Sequence, residues 1–214
     1  MTKGGSLRLK LIGLAILFAL LIAGTAFADS VTLTGAGPAN QGGVYVYPYT
    51  LQIGGSTYAA ICDDYFHEVY VGETWNANIY ALTPSGVSSA RFGSQGIQNY
   101  EEAAWLLSQI PSAGASEVGD INFAIWSIFS TGVPVQPQTG TLDGSQYWLS
   151  AAANAAKNNF SGMNFSNYEI VTPTDSSAGS AQEYLIRVPE PSSMLMLGTG
   201  LLGIAGLLRK KLVP

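Results

Sequence analysis

Cys62, His67 and four carboxylates, Asp63, Asp64, Glu68 and Glu73, fall within twelve residues of the chain. A thiol beside an imidazole can form a nucleophilic dyad, but such a dyad needs a third group to orient the base, and none is apparent. The carboxylates offer the hard oxygen ligands that calcium takes. They lack the alternating spacing of a calcium loop, so a merely solvated acidic loop fits them as well. Cys62 also has a plain reading as a small buried hydrophobe after Ile61. With one histidine and one cysteine in the whole chain, a Cys/His zinc cluster and an intramolecular disulfide are both excluded. No G-x-S-x-G elbow, P-loop or dinucleotide fingerprint is present. The expectation is a protein without catalytic residues, metal or cofactor.

A second set of residues suits binding. Tyr45, Tyr47, Tyr49, Tyr65, Tyr70 and Tyr80 sit in the strand-rich first half with Trp75 and could stack on sugar rings or form an adhesive patch, the first three at alternate positions. Tyr45, Tyr47 and Trp75 are therefore candidate binding residues, although Pro48 confines that strand to an edge. Tyrosines that simply finish a sheet facing water are the plainer alternative.

The elements that must position these residues read as β, then α, then β. Strands are expected at 31–34, 44–47, 49–53, 57–61, 66–71 and 75–82, with Gly54-Gly55 as a hairpin turn and a loop over 83–96. The period then changes to helical. Asn99 is expected to cap a helix over 100–110, with Glu101 and Glu102 in its first turn and Pro111 at its end. A second helix over 117–130 carries Val118, Ile121, Ile125, Trp126 and Phe129 on one face. A third covers about 145–159. Strands at 168–172 and 183–188 complete a single α+β domain, β-rich with a central helical part. Asn122 shares the apolar face of the second helix with Val118, Ile125 and Phe129, where an unpaired amide would cost about 1–3 kcal/mol. It must find partners on a neighbouring strand or loop.

Three short segments occur in order: Tyr58-Ala-Ala-Ile-Cys62-Asp63, Glu102-Ala-Ala-Trp-Leu-Leu107 and Asn122-Phe-Ala-Ile-Trp126. Over residues 58–129 the chain resembles the thioester domains of bacterial surface adhesins. In those domains a cysteine attacks a glutamine amide, releases ammonia and leaves a thioester that can acylate an amine on a target. The resemblance makes Cys62 and Asn122 the candidate pair. It also departs from the family, because asparagine stands where the reactive glutamine is expected and is one methylene shorter.

Both ends of the chain are address labels. Lys3, Arg8 and Lys10 precede an apolar run over 11–23. Ala26-Phe27-Ala28 then forms a cleavage site, so residues 1–28 read as a signal peptide and the mature chain begins at Asp29. The exported part, residues 29–188, carries three basic and thirteen acidic residues, a formal charge of −10. Such a surface repels phosphate backbones and argues against nucleic acid as a partner. At the far end, Pro189-Glu190-Pro191 is followed by an uncharged apolar run over 192–208. At 17 residues this makes roughly 25 Å of helix, enough to span a bilayer core. Arg209, Lys210 and Lys211 then form a stop-transfer cluster that stays cytoplasmic.

This tail, 189–214, resembles the PEP-CTERM sorting signal of Gram-negative bacteria. The resemblance implies an exosortase as processing partner, passage through the inner membrane, and cleavage near the Pro-Glu-Pro tripeptide. It further implies delivery to the cell surface, outer membrane or extracellular matrix, in association with exopolysaccharide and biofilm. An uncut membrane anchor is the alternative. The function expected from the whole chain is a non-catalytic adhesion, structural or carbohydrate-binding module. A covalent adhesin acting through Cys62 and a plain anchored envelope protein are the other readings.

Overall fold

The computed structural model describes residues 28–37, 40–135, 144–177 and 179–188. Its centre is a closed six-stranded antiparallel barrel. Eight strands occur in the described chain: β1 (Asp29–Ala36), β2 (Asn40–Gln41), β3 (Val44–Tyr45), β4 (Tyr49–Ile53), β5 (Ser56–Cys62), β6 (Thr74–Ala81), β7 (Tyr168–Pro173) and β8 (Tyr184–Arg187). β2 and β3 pair only with each other. The rest close in the order β1-β4-β5-β8-β7-β6, with β6 returning to β1. Between β6 and β7 come the helices α1 (Pro84–Val87), α2 (Ile97–Gln109), α3 (Glu117–Phe129) and α4 (Gly144–Lys157). The α+β reading, β-rich with a central helical part, therefore describes the domain, and barrel closure is what it lacked.

Alternation decides what fills the barrel. Val31 and Leu33 of β1 pair with Ile53 and Leu51 of β4. Ala60 and Cys62 of β5 pair with Ile186 and Tyr184 of β8. These side chains all belong to one buried cluster. A six-stranded barrel is narrow enough for side chains to fill it. The intervening residues of β5, β8 and β7, namely Ile61, Leu185 and Ile170, point outward into a second cluster with Tyr100, Leu106, Ile121 and Ile125 of the helices. Those strands are covered on both faces, which is why β8 reads as a continuous apolar run rather than an alternation.

α3 joins the two layers. Its Ile121 and Ile125 face the helices, whereas Phe123 and Trp126 join the barrel cluster. They cover the end formed by the C-terminus of β5 and the N-termini of β4 and β8, and the functional residues collect at this end.

Four expected elements differ, the first being the loop over 83–96, which contains α1 and a 3-10 turn at Gly93–Gln95. No strand forms over 66–71; the chain from Asp63 to Glu73 is an irregular connection between β5 and β6. Its backbone is held by other groups: the Glu73 carboxylate accepts from Tyr70 N at 3.0 Å, and Gly72, at φ +100°, donates to Leu33 O. α2 begins at Ile97 after Gly96 at φ +93°, so Asn99 lies inside the helix and no acidic residue occupies its first turn. The Asn99 amide instead donates to Gln95 Oε1 at 3.0 Å. Finally, β3 stops at Tyr45, and the run 44–47 is not one strand.

Candidate functional site

Tyr65 is the anchor of the irregular 63–73 segment. Its ring packs 5.2 Å from that of Trp126 and 5.2 Å from that of Phe66, with Phe123 at 6.2 Å. Docking Tyr65 on α3 leaves its neighbours outside: Phe66 is 61% exposed and Tyr70 65%. Together with Tyr45, itself exposed on the β2–β3 hairpin, they wall a cleft of about 550 Å³ open to solvent. Trp126, Tyr49 and Gln182 form its floor, and His67 and Glu68 its polar lining. The Tyr70 hydroxyl donates to Glu68 at 2.9 Å, which raises the tyrosine pKa.

Beneath the cleft lies a buried polar centre that ties the barrel to the helices. Asp64 bonds His67 Nδ1 at 2.9 Å through one oxygen and Arg91 through the other. The Arg91 guanidinium also donates to Ala181 O at 2.8 Å and Ser180 Oγ at 2.6 Å. Glu183, fully buried, accepts from Tyr100 Oη at 2.6 Å, Thr172 Oγ1 at 2.5 Å and Arg91 N at 2.8 Å. Burial raises the Glu183 pKa despite these donors. Asp63 is equally buried, yet neither carboxylate oxygen has a hydrogen-bond partner. Burial first, and then the charges of Glu183 and Asp64, push its pKa well up. Three carboxylates around one guanidinium are short of positive charge, which disfavours the ionised form of Asp63.

Cys62 and Asn122 meet beside this centre. Asn122 Nδ2 donates to the Cys62 carbonyl at 3.0 Å, and its Oδ1 accepts from Tyr47 N at 2.9 Å. Both ends of the amide are thus occupied by backbone groups of the barrel end, the partners that its place on an apolar face requires. The Cys62 thiol donates to Asp64 O at 3.2 Å and accepts from Asp64 N at 3.4 Å. Burial, reinforced by the charges of Asp63 and Asp64, raises the thiol pKa well above its usual value, although the nearby Trp126 side chain opposes this. Such a thiol is a poor nucleophile.

The other candidate residues scatter. Tyr45 lines the cleft, but Tyr47 packs against the helical cluster and Tyr49 points into the barrel. The three alternate tyrosines therefore do not share a face, because the strand ends before Pro48. Trp75 stacks on Tyr184 with ring centroids 6.1 Å apart and lines a neighbouring hollow of about 380 Å³. His67 bonds Asp64 rather than Cys62. Among the described residues no group of three or more His, Cys, Asp and Glu is placed to hold a metal ion. Ala28 is exposed. Ala26, Pro189, Glu190, Pro191, the 192–208 run and Arg209, Lys210 and Lys211 lie outside the described residues.

Sequence reasoning counted Tyr65 and Tyr70 among the aromatics of the strand-rich half without setting them in one site, and it missed Phe66 and the Arg91–Glu183 centre. One signal was available: Arg91 is the only Lys or Arg between Asp29 and Lys157, and a lone guanidinium among so many carboxylates invites an internal role.

Residues 187–210 match the PEP-CTERM protein-sorting motif. The match supports an exported protein sorted through a C-terminal signal, and implies processing by an exosortase from a membrane-anchored precursor. Among the described residues no helix is long and apolar enough to cross a membrane. No curated protein and no solved structure matches the chain.

Proposed function

We propose that the domain is a non-catalytic binding module of the cell surface or extracellular matrix, and that the aromatic cleft takes carbohydrate chains. One observation carries this reading: Tyr45, Phe66 and Tyr70 are held in water around an open cleft, where most large aromatic side chains would be buried. Rings presented in this way, beside a few polar groups, suit the apolar faces and hydroxyl edges of sugars. The carboxylates speak for binding over hydrolysis. A glycosidase needs two of them free to face one glycosidic bond. Here Asp63 and Glu183 are fully buried, and Glu68 and Glu73 both engage Tyr70.

The test is titration of the purified chain with exopolysaccharide from its own host, followed by the emission of Trp126 on the cleft floor. Binding is expected to weaken at least tenfold when Phe66 and Tyr70 are both changed to Ala, since stacking contributes on the order of 1 kcal/mol or more per ring. Unchanged binding in the double variant would remove the cleft from the reading.

A second reading follows the resemblance to adhesin thioester domains: the Asn122 amide bonds the main-chain carbonyl of Cys62, while the thiol itself is hydrogen-bonded to Asp64. Its mark is a native intact mass one ammonia short, mapped to linked Cys62 and Asn122 peptides. The occupied amide and the raised thiol pKa favour the unlinked pair. A full mass, with Cys62 alkylated only after denaturation, is the expected result.

A further inference from the structure

Glu68 of the aromatic cleft also lines the adjoining hollow, whose wall continues through Glu73, Trp75, Asn76 and Asp175. The two depressions thus share Glu68 in their walls, one of them aromatic and the other acidic. Their charge is one-sided. Of the three Lys and Arg residues of the exported domain, Arg91 is bonded to Asp64 inside the fold, Lys157 ends α4 and Arg187 ends β8; none lines either depression. Asp175 is exposed and held ionised by the Ser177 backbone and hydroxyl, which lower its pKa. Glu68 and Glu73 each spend one oxygen on Tyr70. The formal charge of −10 around them adds a long-range field of the same sign.

We propose that the two together select a polysaccharide bearing free amines, a cationic amino-sugar chain, and reject polymers of uronic acids. The proposal rests on the carbohydrate reading of the cleft and adds the charge of the ligand to it. Sugar rings lie against Tyr45, Phe66 and Tyr70, and ammonium groups on the same chain meet Glu68, Glu73 and Asp175. An anionic chain meets the same carboxylates with only His67, and an Arg91 guanidinium already bonded to Asp64, Ser180, Ala181 O and Asp175 O, to offset them.

Three probes test it on the full chain in detergent: a glucosamine hexamer, the same hexamer fully N-acetylated, and a galacturonate hexamer. The glucosamine oligomer is expected to bind at least tenfold more tightly than the N-acetylated one, with affinity falling as salt rises, and the galacturonate not to bind. Changing Glu68 and Glu73 to Gln should cost the glucosamine oligomer about three- to fivefold per charge and leave the neutral one unmoved. Tyr70→Phe, which removes the hydroxyl on Glu68 and keeps both charges, should preserve the preference for amines. Equal binding of the two glucosamine hexamers without salt dependence overturns the charge selection and leaves the carbohydrate reading standing. Binding of none of the three, while the host polymer still binds, overturns it too. Failure of the host polymer as well removes the reading beneath it.

Discussion

Asp63 is the least compensated residue of the fold. Its neighbour Asp64 has a guanidinium and an imidazole, and Glu183 has three donors, whereas Asp63 has burial and two nearby negative charges. All three terms raise its pKa in the folded chain, and burial is the largest. An exposed aspartate ionises near pH 4. Above that pH the unfolded chain has lost a proton that the folded chain keeps. The stability linked to this proton is complete below about pH 4 and declines as pH rises towards the folded pKa of Asp63. Asp63→Asn removes that dependence. Chemical denaturation between pH 4 and pH 8 should show wild-type stability falling with pH. The variant's slope should be shallower by up to about 1.4 kcal/mol per pH unit over the window. Glu183, raised in the same direction, keeps the variant from being flat. Identical slopes would mean that Asp63 is ionised in the fold.

At the scale of elements, the junction of β6 and α1 offers a test in which two effects have opposite signs. Gly86 lies in α1, where helix propensity alone predicts that Gly→Ala gains about 1 kcal/mol. A Cβ at this position would stand 2.1 Å from the Ala81 carbonyl oxygen, a backbone atom that can yield only if the strand end moves. Overpacking of this kind costs about 1–3 kcal/mol. Gly86→Ala should therefore destabilise the domain, read as a lower denaturation midpoint at unchanged m-value; a raised midpoint would show that the junction gives way freely. The same contest between local preference and tertiary demand explains what the sequence made legible. α2 and α3 stood out because Ala103, Leu106 and Leu107, and Ile121 and Ile125, recur at helical spacing, although α3 is also buried on its barrel side through Phe123 and Trp126. The segment 66–71 alternated like a strand, yet Tyr65 docks on Trp126 and Glu73 holds Tyr70 N, so the backbone never meets a partner strand. Barrel closure depends on β1 meeting β6 and β5 meeting β8, pairings that no local pattern encodes. Of the site, Asn122 and its need for buried partners were legible from its place on an apolar helical face. The cleft was not, because it forms where the hairpin at Tyr45 and the loop at Phe66 converge over α3.

For the whole molecule, the domain and its tail pose separate physical problems. The domain closes its own core: the barrel is filled, its mouth is covered by Phe123 and Trp126, and the outer face of β5, β7 and β8 is covered by helices. The sorting motif over 187–210 follows directly, beginning at Arg187, the last residue of β8. β8 ends at Arg187, two residues before the Pro-Glu-Pro tripeptide at 189–191. Processing there would therefore release the barrel without opening a strand. The intact mass of the protein from its host's envelope and medium, with termini mapped by peptides, should end near Pro189–Pro191. Replacing all three residues 189–191 by Ala should shift the population to a membrane-bound form that retains Arg209–Pro214, with the barrel's melting temperature unchanged. A wild-type chain that keeps its basic tail in every fraction would mean a permanent anchor. The cleft would then work within a linker's length of the membrane rather than free in the matrix.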